Sequence, residues 1–171
     1  MPSLVRRGGV YPAPPPPARD SPAGMVSVNM GNPSGRTIET IARGLWVRDS
    51  KVLLCRNIAG GYSYFPGGHV EFGESAAQAL EREFAEECGE RVRAGRCLLV
   101  GEATFIQKRT PRHEINIVFH VEPASGESTA SPPGTPHPVR SLEPHIAFDW
   151  VPVSALSSTS VLPGWLAGPV P

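Results

Sequence analysis

GHVEFGESAAQALEREFAEECG, residues 68–89, decides the fold class. A glycine-bounded loop runs into one acidic helix. Ser75 is placed to cap the helix N-terminus, Glu74 lies beside the positive end of the dipole, and Gly89 is placed to end the helix in a left-handed turn. These signals predict a helix over Ala76 to Cys88. At about 100° per residue, Ala77, Leu80, Phe84 and Cys88 form one apolar arc that must face a core.

Glu83, Glu86 and Glu87 fall on a neighbouring arc, at the i, i+3 and i+4 spacing that stacks side chains on one face. Ala76 and Ala79, both small, are expected to leave room above that arc. Like charges at this spacing cost roughly 0.2–0.5 kcal/mol per pair in an isolated helix, so a partner is needed to offset them. A hard divalent cation meets that need. Mg²⁺ favours carboxylate oxygens, keeps several waters and shares its coordination with substrate phosphates. Arg82 is suited to hold a carboxylate through a bidentate pair.

The pattern G-x5-E-x7-R-E-(apolar)-x-E-E-x-G is met by Gly68, Glu74, Arg82, Glu83, Phe84, Glu86, Glu87 and Gly89 without insertion or deletion. It resembles the Nudix box of MutT-like hydrolases, and eight fixed positions make it a specific signature. The family usually places an aliphatic residue after the box, where Glu90 stands here, and Val92 is expected to take over that apolar contact. The resemblance implies an α/β/α sandwich with a mixed β-sheet, the box forming loop, helix and loop.

It further implies a pyrophosphohydrolase using Mg²⁺ or Mn²⁺, acting on a nucleoside diphosphate linked to another group. Carried over residue by residue, Glu86 and Glu87 are metal ligands, joined by the carbonyl of Gly68. Glu83 is a ligand or the base that activates water, and Arg82 and Glu74 orient the cluster. The family often adds a base from a loop outside the box. Glu143, seven residues before Trp150, is the first candidate, with Glu114 and Glu102 behind it. Arg56 resembles a phosphate-contacting position, and Arg43 is a second candidate. Tyr62, Tyr64, Phe65 and Phe105 divide between core packing and a base-stacking platform.

Ahead of the box, Thr37 to Val47 is β-prone, Arg48-Asp49-Ser50 reads as a turn, and Lys51 to Cys55 is an apolar strand. The two strands are expected to form a hairpin. Tyr62 to Phe65 is a short strand leading into Pro66-Gly67-Gly68. After the box, Cys97 to Gln107 and Glu114 to Val121 are strands joined by a basic loop over residues 108–113. Residues 122–145 are expected to form a long mobile loop. Ile146 to Val151 is the last strand. Beyond Val153 a weak helix or irregular tail is expected, with Val161, Leu162, Trp165 and Leu166 as docking residues. The domain spans residues 37–166, followed by a tail at 167–171.

Residues 1–36 hold eight prolines, a composition that favours disorder or polyproline II. Met25 and Met30, just ahead of the first expected strand, stand beside Met1 as candidate translation starts. Acidic and basic residues balance at 16 each, so no global field argues for stable nucleic-acid binding. No apolar run reaches the roughly 18 residues of a membrane span. Three cysteines without metal-ligand spacing suit a reduced, cytoplasmic protein. His113-Glu114-Ile115-Asn116-Ile117 lacks the second histidine of a zinc-hydrolase helix, and no P-loop sequence occurs.

The expected partner is therefore a small-molecule nucleotide, of nucleoside triphosphate or nucleotide-sugar type. The family resemblance admits a homodimer, for which no helix or patch argues. Two other classes remain: a Nudix-fold module that senses a nucleotide without cleaving it, and an adaptor working through the proline-rich segment.

Overall fold

The computed structural model describes residues 36–124 and 136–167. Its elements in chain order are strands β1 (Glu39–Leu45), β2 (Val47–Arg48), β3 (Lys51–Asn57) and β4 (Ser63–Tyr64), helix α1 (Ala76–Cys88), and strands β5 (Val92–Gln107), β6 (Thr110–Pro123) and β7 (Ile146–Pro152). Two short 3-10 turns, Val153–Ser158 and Gly164–Ala167, follow. The N-terminal proline-rich stretch lies outside the described residues, apart from Arg36.

One sheet has the order β1-β6-β5, with β1 parallel to β6 and β6 antiparallel to β5. In the other, β3 is central, paired antiparallel with β7 along one side and with β2 and β4 on the other. A mixed sheet of this kind needs a covering layer. α1 supplies it through Ala79, Leu80, Phe84 and Cys88, which join Ala42, Trp46, Leu53, Val121 and Phe148 in one core. A second core gathers Leu45, Val52, Leu54, Phe65, Val118, Leu156 and Val161.

The helix ends as its sequence requires. Ser75 accepts from Gln78 N while the Gln78 side chain accepts from Ser75 N, a reciprocal cap, and Gly89 takes φ 73° with its N–H on the Ala85 carbonyl. Two expectations about its faces change. Ala79 is fully buried and Ala77 only half-buried, so Ala79 leaves no room above the acidic arc. Its methyl group instead faces the core beside Leu80, and Ala76 packs against the same core half-exposed.

The expected hairpin is also reduced. Of the residues ahead of the turn, only Val47 and Arg48 form the ladder with β3, across a two-residue turn in which Asp49 and Ser50 both have positive φ. Residues 39–45 pair with β6 in the other sheet, and buried Trp46 stands at the crossing between sheets. The basic loop contracts in the same way: Lys108 and Arg109 alone make the turn, and residues 110–113 lie in β6. Of the long loop expected at 122–145, residues 125–135 lie outside the described residues. His137 to Glu143 is docked rather than free, with Val139 buried and Leu142 N–H on the Glu87 carbonyl at 2.7 Å.

Candidate active site

Pro66-Gly67-Gly68 and the residues after them run along the free edge of β1. Gly44 N–H donates to Pro66 O at 2.8 Å, Ala42 N–H to Gly68 O at 2.9 Å, and Val70 N–H to Thr40 O at 2.9 Å. Gly67 has φ 129°, and a Cβ there would stand 2.2 Å from the Ala42 carbonyl, so only glycine fits. A Cβ on Gly68 would stand 2.4 Å from the Glu83 carboxylate. The loop therefore brings the Gly68 backbone against Glu83 on α1. Its carbonyl has one lone pair engaged by Ala42 and a second available.

Arg82 organises the acidic residues. Its guanidinium grips Glu74 at 2.8 and 3.2 Å and reaches Glu83 at 3.0 Å, Glu86 at 2.9 Å and the His69 carbonyl at 3.0 Å. The bond to Glu74 contributes most to raising the Arg82 pKa. The same bond, together with Glu71 N–H, holds the Glu74 carboxyl below the ordinary carboxylate range. Glu74 thus remains an anion that fixes Arg82, and Arg82 fixes Glu83 and Glu86.

Glu87 differs from the others. Burial, reinforced by the negative charge of Glu83, pushes its carboxyl up to about 8. Arg43 and Gly67 N–H oppose that shift, while the charge of Glu143 adds to it. Its Oε2 is buried and has no hydrogen-bond partner. A native interior seldom leaves such an atom unsatisfied without a functional reason.

Glu83 and Glu87 line a cleft of about 830 Å³ between the β1-β6-β5 sheet and the segment carrying Tyr62 to Tyr64 and Leu162 to Trp165. Arg43 also lines it, donating to the Phe65 and Gly67 carbonyls at 3.3 and 3.2 Å and to Asn116 Oδ1 at 3.3 Å, with its guanidinium 4.9 Å from the Tyr64 ring centre. Asn116, fully buried, donates in turn to Glu114, which lines the same cleft. Glu102 lines it as well and pairs with His113. Arg56 is not among the lining residues; its guanidinium pairs with Asp149 on β7 at 2.8 Å. Glu143 also lies outside the lining, close enough to Glu87 for their charges to interact, and its carboxylate meets His145 at 3.2 Å.

Of the aromatic candidates, Phe65 is core, whereas Tyr62, Tyr64 and Phe105 face the cleft. The sequence marks Trp165 only as a docking residue. It forms a cleft wall, lying over Gly101, where a Cβ would come within 2.5 Å of the indole, with its N–H on the Glu102 carbonyl. Asn116 was also missed. A lone amide between Ile115 and Ile117 in a buried strand was the signal, since such a group needs polar partners.

Among the described residues, no three His, Cys, Asp or Glu side chains converge as a closed metal cage. Two of the helix carboxylates are turned to Arg82 instead. The donor chemistry nevertheless fits a hard divalent cation: the side chains are carboxylates, the Glu87 Oε2 is buried and unpartnered, and the Gly68 backbone lies against Glu83.

A model of the NUDIX domain matches residues 39–167, and the chain belongs to that family, whose members typically hydrolyse pyrophosphate bonds with divalent metals. Its fold is similar to that of the MutT protein from Methanosarcina mazei Go1, with a TM-score of 0.57 and 22% identity over 77% of this chain and 89% of that one. The mutator MutT protein from Bacillus halodurans matches with a TM-score of 0.52 and 18% identity, over 76% of this chain and 80% of that one. A NUDIX hydrolase from Nitrosomonas europaea gives a TM-score of 0.52 and 22% identity, over 72% and 78% respectively.

Proposed function

We propose that the chain is a metal-dependent pyrophosphohydrolase cleaving a nucleoside diphosphate linked to a further group, of nucleoside triphosphate or nucleotide-sugar type, by attack of water at phosphorus. The observation that carries this reading is the unpartnered, buried Oε2 of Glu87, beside Glu83 at the wall of a nucleotide-sized cleft. Glu83, Glu86, Glu87 and the Gly68 carbonyl would hold Mg²⁺ or Mn²⁺. When bound, that ion supplies Lewis acidity toward the phosphoryl oxygens.

The chain's own groups do the rest. Arg82, anchored by Glu74, fixes the orientation of Glu83 and Glu86. Arg43 presents a guanidinium on the cleft side of β1, where a phosphate oxygen can approach; of the two arginines raised by sequence we assign it rather than Arg56. Glu143 is assigned as the group that takes the proton of the attacking water. Tyr62, Tyr64, Phe105 and Trp165 supply flat apolar surface for the organic part of the substrate. Free thiols at Cys55, Cys88 and Cys97 support a reducing, cytoplasmic setting. Among the described residues no helix is long and apolar enough to cross a membrane.

Product analysis over a panel of nucleoside triphosphates, oxidised nucleotides, nucleotide sugars, ADP-ribose and dinucleoside polyphosphates, each with Mg²⁺ or with chelator, tests the proposal. Metal-dependent release of a mononucleotide from one class is expected. Absence of cleavage throughout, with a nucleotide still raising the melting temperature, would replace the enzyme by a sensing module.

A further inference from the structure

Glu90 is the position at which the box departs from its family pattern, and the structure gives that carboxylate a partner. Glu90 Oε1 lies 2.9 Å from His137 Nε2, both side chains being half-buried. Arg48 lies 3.2 Å from the other ring nitrogen. A guanidinium only donates, so Nδ1 accepts and Nε2 carries the proton that Glu90 receives. The ring also meets Trp46 edge-on at 6.2 Å, and the His137 carbonyl accepts from the Trp150 indole N–H at 2.9 Å.

From this anchor the chain runs back along α1. Val139 is buried in the core, Leu142 N–H donates to the Glu87 carbonyl at 2.7 Å, and Ser141 Oγ bonds both the N–H and the carbonyl of Glu143. Five residues, 138–142, thus separate His137 from Glu143.

We propose that Glu90 and His137 form a latch that holds residues 137–143 against the C-terminal end of α1 and so keeps Glu143 beside Glu87. The latch residues are positioning residues: they touch neither the cleft nor the reacting groups. An aliphatic residue at position 90 packs but cannot accept from Nε2, which is why this chain carries a carboxylate there. The part assigned to Glu143 in turnover rests on the hydrolase reading above; the docking of the segment does not.

The test uses the full chain and two readouts: hydrogen exchange at the Leu142 amide, and kcat and KM on the panel nucleotide that is cleaved. Glu90→Leu is expected to speed Leu142 exchange about tenfold or more. It is expected to lower kcat about tenfold with KM within about twofold. His137→Phe, which keeps the ring packed on Trp46, should act alike, so the test survives if one variant fails to fold. Glu90→Gln retains an acceptor for Nε2 and should restore both readouts. In a Glu143→Gln background, Glu90→Leu should lower kcat no further, because both act through one group.

Unchanged Leu142 exchange in Glu90→Leu and His137→Phe overturns the latch. So does a full additional loss of kcat in the Glu143→Gln background. Wild-type turnover in Glu143→Gln removes the latch's catalytic purpose while the hydrolase reading stands, provided Glu86→Gln and Glu87→Gln are inactive. If no nucleotide is cleaved, the hydrolase reading fails and the exchange data alone decide the latch.

Discussion

A carboxyl group held near pH 8 by burial has a thermodynamic cost that can be measured. Glu87 has its folded pKa raised from 4.5 to about 8. The folded state therefore holds the proton more tightly than the unfolded chain does. Stability from this group is fully present below the unfolded value and is lost as pH rises through the folded one. For the metal-free protein, stability should fall by on the order of a few kcal/mol between about pH 5 and pH 8, and the melting temperature should fall with it. Glu87→Gln should flatten that slope and raise the melting temperature at pH 7.5, measured by thermal unfolding in chelator. A parallel slope in the variant would show that the charge of Glu87 carries no such cost.

Arg82 makes the complementary case, because its fork geometry grips Glu74 with two nitrogens while also reaching Glu83 and Glu86. Lysine cannot reproduce that fork. Arg82→Lys should lower turnover at least about tenfold with the fold retained, as read by kcat and circular dichroism.

At the scale of the element, α1 was legible because all its signals are local. Its start, its end and its inward residues Leu80, Phe84 and Cys88 follow from caps and periodicity, and the helix occupies Ala76–Cys88 as expected. Ser75→Ala removes the acceptor for Gln78 N–H and should cost about 1 kcal/mol in denaturant unfolding. Gly67→Ala belongs to a different class: its Cβ would meet backbone, not a movable side chain. It should therefore displace the loop from β1 and lower both melting temperature and turnover. Gly68→Ala meets a side chain, the Glu83 carboxylate, rather than backbone, and should lower turnover by displacing that carboxylate, with a smaller loss of melting temperature. Equal stability losses in the two glycine variants would contradict this distinction.

Expectation and structure part where pairing is non-local. Residues 39–45 have strand composition, but composition does not say that their partner is Glu114–His120, over seventy residues away, rather than the adjacent β3. The misreading of Ala79 has a similar origin, since an alanine suits either a crowded helix-sheet contact or an open face, and only the packing partner decides.

For the molecule as a whole, the acidic helix and glycine loop announced the carboxylate end of the cleft, whereas the other walls come from β1, β5, β6 and the segment around Trp165. Those walls have no fixed spacing in the sequence, which is why Arg43 was only one of two arginines and Trp165 was read as packing. The described lining of the cleft falls between Ile41 and Trp165, so a chain beginning at Arg36 should keep wild-type turnover and melting temperature. Loss of turnover in that truncation, with the fold intact, would assign the proline-rich segment a part in the site.

The measurement that bears most directly on the helix carboxylates is Mg²⁺-dependent nucleotide turnover in the wild-type chain compared with Glu86→Gln and Glu87→Gln. Cleavage that requires the metal in the wild type and drops by orders of magnitude in both folded variants is the expected result. Wild-type-like turnover in both variants would contradict the assignment of these glutamates as the centre of the reaction.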